Sequence, residues 1–280
     1  MTLRARDLTY ASIARGPLGR ATIRVVENLT GRIAVLRRLA RLPAALDRQP
    51  DIWLALPDLF GLSIRITGEE VPSHGPLLVI ANHPFGLADS LAVGHLLART
   101  GRPFHIVANE VFLAAPPIRD VILPISFDKS REGQARNLAT RRTATRILSE
   151  GGVVAVFPAG ATESSPTPGT PPAEGRWSHF TGKLVRSARP TILPLHVAGH
   201  HGQMFHRAGF VHPNLRHALQ IGSFARQMDG PIHVTVGKPL DGASLSHRFA
   251  HMPDLTEHLR QAVLALASQP IDPARVGHRF

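Results

Sequence analysis

The 280-residue sequence predicts an α/β protein built on a mixed, largely parallel sheet with helices on both faces. Short apolar runs rich in Val, Ile and Leu alternate with longer segments of helical character along most of the chain. The composition is 43% hydrophobic, which is enough to bury one large core. No segment repeats with a period of about 20 to 50 residues, so a solenoid or a propeller is not expected.

The first segment, residues 18–48, is predicted to form a helix that is followed by a break at Pro43. At about 100° per residue, one arc of this helix is apolar and the opposite arc is charged. The apolar arc holds Val25, Val26, Leu29, Ile33, Leu36 and Ala40, and the charged arc holds Arg20, Arg24, Glu27, Arg38 and Arg41. An amphipathic helix of this kind can lie in a membrane interface or dock on the protein's own core. We expect residues 1–50 to be a basic amphipathic helical extension and residues 51–280 to be the α/β domain.

The predicted elements of the α/β domain follow one another in a strand–helix pattern. Strands are predicted at 62–68, 75–82, 103–109, 120–127, 151–158, 190–199 and 231–240. Helices are predicted at 89–99, 132–150, 180–188 and 254–267, and residues 270–280 are expected to be loose. The first strand is expected at an edge of the sheet.

Residues 161–180 interrupt this pattern, because they are rich in Pro, Ser, Thr and Gly and too polar to pack. A long loop in a compact domain is usually a functional lid or a disordered insertion. This one leaves the C-terminal end of the predicted strand 151–158, which is the edge where open α/β sheets bind ligands.

A histidine and an aspartate stand at the end of the predicted strand 75–82, in the stretch NHPFGLAD of residues 82–89. Pro84 and Gly86 indicate a turn, and Asp89 stands at a helix start, a favoured N-cap position. A turn can fold the carboxylate back onto His83, where it fixes the tautomer and leaves the other ring nitrogen free to take a proton. The same residues also fit a helix-capping aspartate and an ordinary loop histidine, because the spacing alone is a weak pattern.

The usual protein nucleophiles do not accompany this pair. The sequence has no cysteine and no G-x-S-x-G turn. We therefore expect the substrate to bring its own hydroxyl or amine, which His83 would deprotonate for attack on an activated acyl group.

The net charge of +12 favours anionic partners such as nucleic acid, acidic lipid head groups or an acidic carrier protein. No run of about 18 apolar residues indicates a transmembrane helix, and residues 1–20 lack the apolar core of a secretory signal. These observations predict a cytoplasmic protein that is soluble or peripherally attached.

Four ordered sequence blocks resemble the glycerolipid acyltransferase family, the PlsC-like lysophospholipid acyltransferases. NHPFGLAD resembles the first block of its hemolysin-like branch, written N-H-P-x-G-x-x-D. LPISFDKS (123–130) resembles the second block, with Lys129 at the usual arginine, and VAVFPAG (154–160) resembles the third, F-P-E-G. TILPLHVAGHHGQMFH (191–206) is similar to the fourth, a strand that carries a proline. The resemblance spans about residues 62–240.

The resemblance implies a glycerolipid acyltransferase-like fold and transfer of a fatty acyl group from acyl-CoA or acyl carrier protein to a lyso-lipid. His83 would be the general base, and Asp89 would orient it, with no metal and no cofactor apart from the thioester co-substrate. The implied binding residues are Asn82, Gly86, Lys129, Phe157, Pro158, Gly160, Thr162 and Glu163. Backbone N–H groups of the FPAG stretch could donate to an anionic substrate or an oxyanion. The implied partners are the lyso-lipid, the acyl donor and an anionic membrane surface, at the inner face of the cell membrane.

The third block departs from the family pattern. Ala159 replaces the Glu and Thr162 replaces the basic residue that serve the acceptor's phosphate. A phosphate is best bound by a bidentate cation, so Lys129, Arg131, Arg176 or Lys183 would have to substitute. The acceptor therefore need not be lysophosphatidic acid, and another lyso-lipid or an amino-acid-containing lipid fits equally well.

Other classes of function remain alternatives. Among the 16 histidines, His200, His201 and His206 could serve a metal-dependent hydrolase, with His83 and Asp89 as remote ligands, although no strong ligand spacing is present. A non-catalytic lipid-binding protein with this fold is a further alternative. A nucleic-acid binder fits the charge, but only 5% of residues are aromatic and no recognition motif is present, so no nucleic-acid partner is expected.

Overall fold

Four short helices precede the sheet. The computed structural model of the chain describes residues 9–11, 14, 16–128 and 130–279. In it α1 spans Pro17–Glu27, a π-helical turn spans Asn28–Arg32, and α2, α3 and α4 span Ile33–Leu39, Leu42–Arg48 and Ile52–Phe60. The N-terminal helical segment is therefore confirmed, and it breaks at residues 40–41, close to the break predicted at Pro43. The helix before that break is not continuous as predicted. The chain kinks at Gly31, where φ is 147°, and Pro43 lies in the first turn of α3.

The burial of these helices differs in part from the predicted arcs. Val25, Leu29 and Ile33 of the apolar arc are exposed, as is Leu18. Glu27, predicted on the charged arc, is fully buried and accepts hydrogen bonds from the Thr9 hydroxyl and the Tyr10 N–H, both at 2.7 Å. The helices bury Ile23 and Val35 instead. Much of the predicted apolar stripe therefore faces away from the protein.

The sheet has the order β1-β7-β6-β2-β5-β3-β4, with β8 paired to β6. The strands are β1 Ser63–Gly68, β2 Leu77–Ala81, β3 Phe104–Asn109, β4 Ile122–Ile125, β5 Val153–Val156, β6 Thr191–Val197, β7 Pro231–Val236 and β8 Leu240–Asp241. Among the strand pairs of the described residues, only β6–β7 and β6–β8 are antiparallel. The predicted mixed, largely parallel sheet is confirmed, including β1 at an edge.

Both faces of the sheet are covered, as alternate residues of β2 demonstrate. Leu77, Val79 and Ala81 are buried in one core cluster with α4 and α5 (Leu87–Ala98), whereas Leu78 and Ile80 are buried in a second cluster with α7 (Phe180–Ala188) and α11 (Met252–Leu264). Successive side chains of a strand point to opposite faces, so a central strand covered on both sides must be apolar throughout. Val35 and Leu42 of the N-terminal helices belong to the first cluster.

The remaining helices connect or follow the strands. They are α5 Leu87–Ala98, α6 Arg131–Ser149, α7 Phe180–Ala188, α8 Gln203–Val211, α9 Pro213–Ala225, α10 Gly242–Arg248 and α11 Met252–Leu264, with 3-10 turns at Glu110–Ala114 and Pro116–Val121. The predictions for α5, α6, α7 and α11 are confirmed to within a few residues. The elements α4, α8, α9, α10 and β8 were not predicted from the sequence. Within the described ranges, no helix has both the length and the apolar character to cross a membrane.

The β5–α7 loop (residues 157–179) and the C-terminal residues 270–279 pack on each other, contrary to the expectation of a non-packing loop and a loose tail. Glu174 and Trp177 of the loop are buried. The Gly277 N–H donates to the Glu174 carbonyl at 3.1 Å, and the Ser164 hydroxyl donates to the His278 carbonyl at 2.6 Å. Polar residues pack here because hydrogen bonds between the two segments satisfy their backbone groups.

Candidate active site

The candidate site lies at the carboxyl edge of the sheet, where three parallel strands end side by side. β2 pairs in parallel with both β5 and β6. The residues that follow these strands are Asn82 and His83, Phe157 and Pro158, and the histidine-containing segment that begins at Ala198. In open α/β sheets this edge forms the ligand-binding crevice.

The structure brings His83 and Asp89 together. Nδ1 of His83 lies 3.0 Å from Oδ2 of Asp89, whose side chain is fully buried, while the His83 side chain keeps 16% exposure to the crevice. The contact is close, but Nδ1–H does not point straight at the oxygen, which is common for catalytic pairs without substrate. A carboxylate against Nδ1 leaves Nε2 as the nitrogen that can accept a proton.

Asp89 also organises the turn that carries His83. Its Oδ2 accepts the backbone N–H groups of Phe85 and Gly86, both at 2.8 Å. Asp89 is therefore not the N-cap residue that the sequence suggested. It lies in the first turn of α5 and reaches back to accept the backbone N–H of the cap residue, Gly86, which is the carboxylate half of a capping box. The helix-capping role and the pairing with His83 are both present in one side chain.

Gly86 is required by the geometry of this turn. Its φ is 81°, in the region that side chains other than glycine rarely adopt. A Cβ placed there would lie 2.5 Å from Nε2 of Gln220 on α9. Gly86 therefore permits the sharp entry into α5, and the Gln220 side chain packs in the space that its missing Cβ leaves.

The FPAG stretch forms one wall of the site. The ring of Phe157 stacks on the His83 imidazole with 4.3 Å between centroids. The Gly160 N–H donates to the Phe157 carbonyl at 3.0 Å, and the Pro158 carbonyl accepts from the Ser178 N–H. The Gly160 N–H is thus engaged within its own turn, and donation from the N–H groups of the FPAG stretch to an anionic substrate or oxyanion stays a prediction.

The Asn82 side chain, next to His83 in sequence, bonds to two other segments of the chain. Its side chain is buried and makes two hydrogen bonds with the backbone of Val197, one donated at 2.9 Å and one accepted at 2.7 Å. It also donates to Oε1 of Glu163 at 3.0 Å. These bonds tie the end of β2 to the end of β6 and to the β5–α7 loop.

Two buried carboxyls of the β5–α7 loop, those of Glu163 and Glu174, lie close to His83. Only Glu163 was predicted as a site residue. Ser164 and Ala173 form an antiparallel bridge, which places their neighbours Glu163 and Glu174 opposite each other. Burial, and then the charge of Asp89, raise the pKa of Glu163 to about 7. Burial and the neighbouring Glu163 raise the pKa of Glu174 well above its usual range. No residue pattern marked Glu174, because its loop reads as polar and irregular.

Arg216 of α9 is a cation beside Thr162. It was not among the site residues predicted from the sequence. Its Nη2 donates to the carbonyl and hydroxyl of Thr162 and to the Glu163 carbonyl, at 2.8–2.9 Å. Among the predicted substitutes, Arg131, Arg176 and Lys183 are exposed, and Lys129 lies outside the described residues. Because α9 is remote in sequence, no local motif could have indicated this contact.

His201 and His206 are buried near the pair without forming a metal centre. Burial lowers the pKa of His201 to about 3 and that of His206 to about 4, so both rings are neutral. The ring nitrogen Nε2 of His206 lies 2.9 Å from the His201 carbonyl. No group of three or more His, Cys, Asp or Glu residues in the described part of the chain is placed to hold a metal ion. The alternative of a metal site at His200, His201 and His206 therefore gains no support.

An apolar cleft adjoins the start of α5. Its lining includes Val35, Trp53, Leu87, Ser90 and Phe112. A second opening shares Val35, Leu87 and Phe112 with it. Leu87 is the first residue of α5, so the cleft begins beside the turn that holds the His83–Asp89 pair.

The part of the chain that holds this site is similar to known proteins. Residues 63–198 match the model of the Acyltransferase family. The acyltransferase-like segment contains His83, Asp89 and the β5–α7 loop, and the match supports the resemblance seen in the four sequence blocks. Nine chains of solved structures match as well. One is the 1-acyl-sn-glycerophosphate (LPA) acyltransferase PlsC from Thermotoga maritima, at 15% identity and a TM-score of 0.49, with 90% of this chain and 82% of that chain covered. No curated protein matches the sequence.

Proposed function

We propose that the protein is a lipid O-acyltransferase, similar to 1-acylglycerol-3-phosphate acyltransferases, that transfers a fatty acyl group from acyl-CoA or acyl carrier protein to a lyso-lipid. The observation that carries this proposal is the 3.0 Å contact between His83 Nδ1 and Asp89 Oδ2 at the carboxyl edge of the sheet. This contact lies inside the segment that matches the Acyltransferase family.

The reaction would proceed by general-base catalysis. Nε2 of His83 takes the proton of the acceptor hydroxyl as its oxygen attacks the thioester carbonyl, while Asp89 stabilises the imidazolium from the other side. The tetrahedral intermediate then collapses, the C–S bond breaks, and the leaving thiolate takes the proton from His83. The products are an ester and a free thiol, and no acyl-enzyme forms.

The apolar cleft beside Leu87 supports a fatty acyl substrate. Its lining is almost entirely aliphatic and aromatic, and a hydrocarbon chain gains about 0.8 kcal/mol for each CH₂ group that it buries. The acceptor's head group is less constrained. Lysophosphatidic acid and other lyso-lipids all remain within the proposal, because Arg216 is committed to the loop carbonyls.

The exposed face of the N-terminal helices supports attachment to an anionic membrane at the inner face of the cell. Leu18 and Leu29 are 81% and 82% exposed, and Val25 is 56% exposed. The exposed Arg24 and Arg37 flank this stripe. Apolar side chains beside cations are the composition with which interfacial helices bind acidic lipids.

The test is acyl transfer by purified wild-type protein, His83→Ala and Asp89→Asn with acyl-CoA or acyl carrier protein and a panel of lyso-lipids. Thiol release and the lipid products are followed, the latter by mass. We expect each substitution to lower kcat by about 10²- to 10⁴-fold. Asp89→Asn is preferred to Ala because the amide oxygen can still accept the Phe85 and Gly86 N–H groups. Loss of those bonds would cost about 1 kcal/mol or more of stability.

The matched control is His74→Ala, an exposed histidine before β2 at the opposite edge of the sheet, which should transfer at the wild-type rate. Near-normal activity of His83→Ala would show that the pair is not catalytic. Absence of wild-type turnover with every donor and acceptor would favour the non-catalytic lipid-binding alternative.

A further inference from the structure

The backbone of His83 is held by the β5–α7 loop. β2 ends at Ala81, so the polar backbone groups of His83 have no partner strand. Its carbonyl accepts the Glu163 N–H at 2.9 Å. Its N–H donates to Oε2 of Glu174 at 3.2 Å. A side-chain carboxyl therefore takes the place of a neighbouring strand at this position.

Glu174 is itself rigidly placed. Its side chain is buried, and its other oxygen, Oε1, accepts the Trp177 indole N–H at 2.9 Å. The bridge between Ser164 and Ala173 holds the preceding residue, and the Gly277 N–H holds the Glu174 carbonyl. The bridge and the Gly277 bond thus fix the backbone that carries the carboxyl, and the Trp177 bond occupies the oxygen that His83 does not use.

Burial of the Glu174 carboxyl is unfavourable unless its oxygens accept hydrogen bonds. No cationic side chain in the described ranges forms an ion pair with Glu174. Desolvation and the nearby Glu163 raise its pKa, and the two N–H donors act in the opposite direction. Because two hydrogen bonds offset only part of the cost of such a group, its position beneath His83 suggests a role beyond packing.

We propose that Glu174 is a positioning residue for the proposed reaction: its Oε2 holds the His83 N–H and thereby sets the imidazole against Asp89. This inference rests on the proposed role of the His83–Asp89 pair. The contact of Nδ1 with Asp89 is close but not linear, so a small rotation of the His83 backbone breaks it and turns Nε2 away from the acceptor hydroxyl.

The first experiment compares Glu174→Ala with Trp177→Phe. Glu174→Ala removes both hydrogen bonds, whereas Trp177→Phe removes only the bond to Oε1 and leaves the bond to His83. Misplacement of a catalytic group by an ångström costs about 100-fold in rate, so we expect Glu174→Ala to lower kcat about 10- to 100-fold. KM should change little, and Trp177→Phe should stay near the wild-type rate.

A second readout needs no substrate. The ¹⁵N shifts of the His83 ring, assigned by comparison with His83→Ala, should show the Nδ1–H tautomer in wild-type protein and in Trp177→Phe. Glu174→Ala should show a mixture with the Nε2–H tautomer. A merely structural role for Glu174 would lower the melting temperature without changing the tautomer.

If Glu174→Ala does not fold, the same measurements are made on Glu174→Gln. Glutamine keeps the shape but offers one acceptor oxygen, for which His83 and Trp177 compete. Adding Trp177→Phe removes the competitor, so the double variant should recover the wild-type tautomer and kcat relative to Glu174→Gln alone. A double variant that is no better than Glu174→Gln would overturn the proposal.

The two proposals fail in different ways. An unchanged tautomer in Glu174→Ala overturns the positioning role whether or not the protein transfers acyl groups. A wild-type protein that shows the Nδ1–H tautomer but no turnover would refute the proposed function and leave the effect of Glu174 on the ring measurable.

Discussion

Glu163 shows at the scale of one residue how burial alters chemistry beside the His83–Asp89 pair. Its pKa is raised from 4.5 to about 7, first by burial and then by the charge of Asp89, and the bond from Asn82 opposes this. A carboxyl with a raised pKa stabilises the folded state most at a pH below its unfolded pKa. That stabilisation is lost as the pH rises through about 7.

The corresponding prediction concerns Glu163→Gln. The change in melting temperature from pH 5 to pH 8 should be more negative in wild-type protein than in Glu163→Gln, because glutamine does not titrate and can still accept the Asn82 amide. The buried His201 and His206, whose pKa values are lowered, favour folding as the pH rises and do so in both proteins. Calorimetry at both pH values measures the difference. Glu150→Gln, at the exposed end of α6, is the control and should follow the wild type. Equal pH dependence in Glu163→Gln and wild type would contradict the shift.

At the scale of an element, α1 and the π-helical turn after it present an apolar stripe to the outside. Leu18, Val25 and Leu29 are exposed although Ile23 between them is fully buried. The two faces of the helix therefore have two partners: α9 lies against the buried side, and we propose an anionic membrane for the other. Docking on the protein's own core is thus confirmed for one face of the helix, and the membrane contact of the other face stays a prediction.

We predict that Leu18→Glu/Leu29→Glu weakens binding to vesicles of anionic lipid without lowering the melting temperature, because neither side chain contributes to the core. Co-sedimentation with the vesicles measures it. Leu138→Glu on α6, at the other face of the sheet, is the matched control and should bind as wild type does. Unchanged binding by the double variant would exclude the stripe as the membrane contact. Deleting residues 1–42 is a poorer test, since Val35 and Leu42 belong to the core.

The elements differ in how far their sequences reveal them. β2 and β5 were predictable because strands buried on both faces must be continuously apolar. α4 was missed because it is apolar nearly all round and contains Pro57, so it shows little helical periodicity. The kink at Gly31 was missed because it depends on α9: a Cβ there would lie 2.5 Å from that of Ala225.

At the scale of the whole molecule, the C-terminal residues fasten the loop that holds His83. Arg275 donates to the carbonyls of Pro171 and Pro172, Gly277 to that of Glu174, and the Ser164 hydroxyl to that of His278. Residues more than a hundred positions apart in sequence thus pack against each other.

Truncation after Ala267 should therefore loosen the β5–α7 loop selectively. We expect faster hydrogen–deuterium exchange in residues 161–179, where bonds to the tail are lost, and unchanged exchange in β2 and β5, whose ladders do not involve it. Exchange in the loop and in the two strands is measured on peptides from the same proteolytic digest, so β2 and β5 serve as the internal control. Unchanged exchange in the loop would show that the tail does not hold it.

The sequence by itself determined the α/β class, the seven principal strands, and the placement of His83 and Asp89 at one strand end. Apolar periodicity, turn residues and block spacing are local properties that can be read along the chain. Only the tertiary structure decided that Glu174, Arg216 and the tail reach the same site, and that Val25 and Leu29 face outward. Such contacts depend on which strands are neighbours and which helix faces are already covered, and no local pattern encodes either.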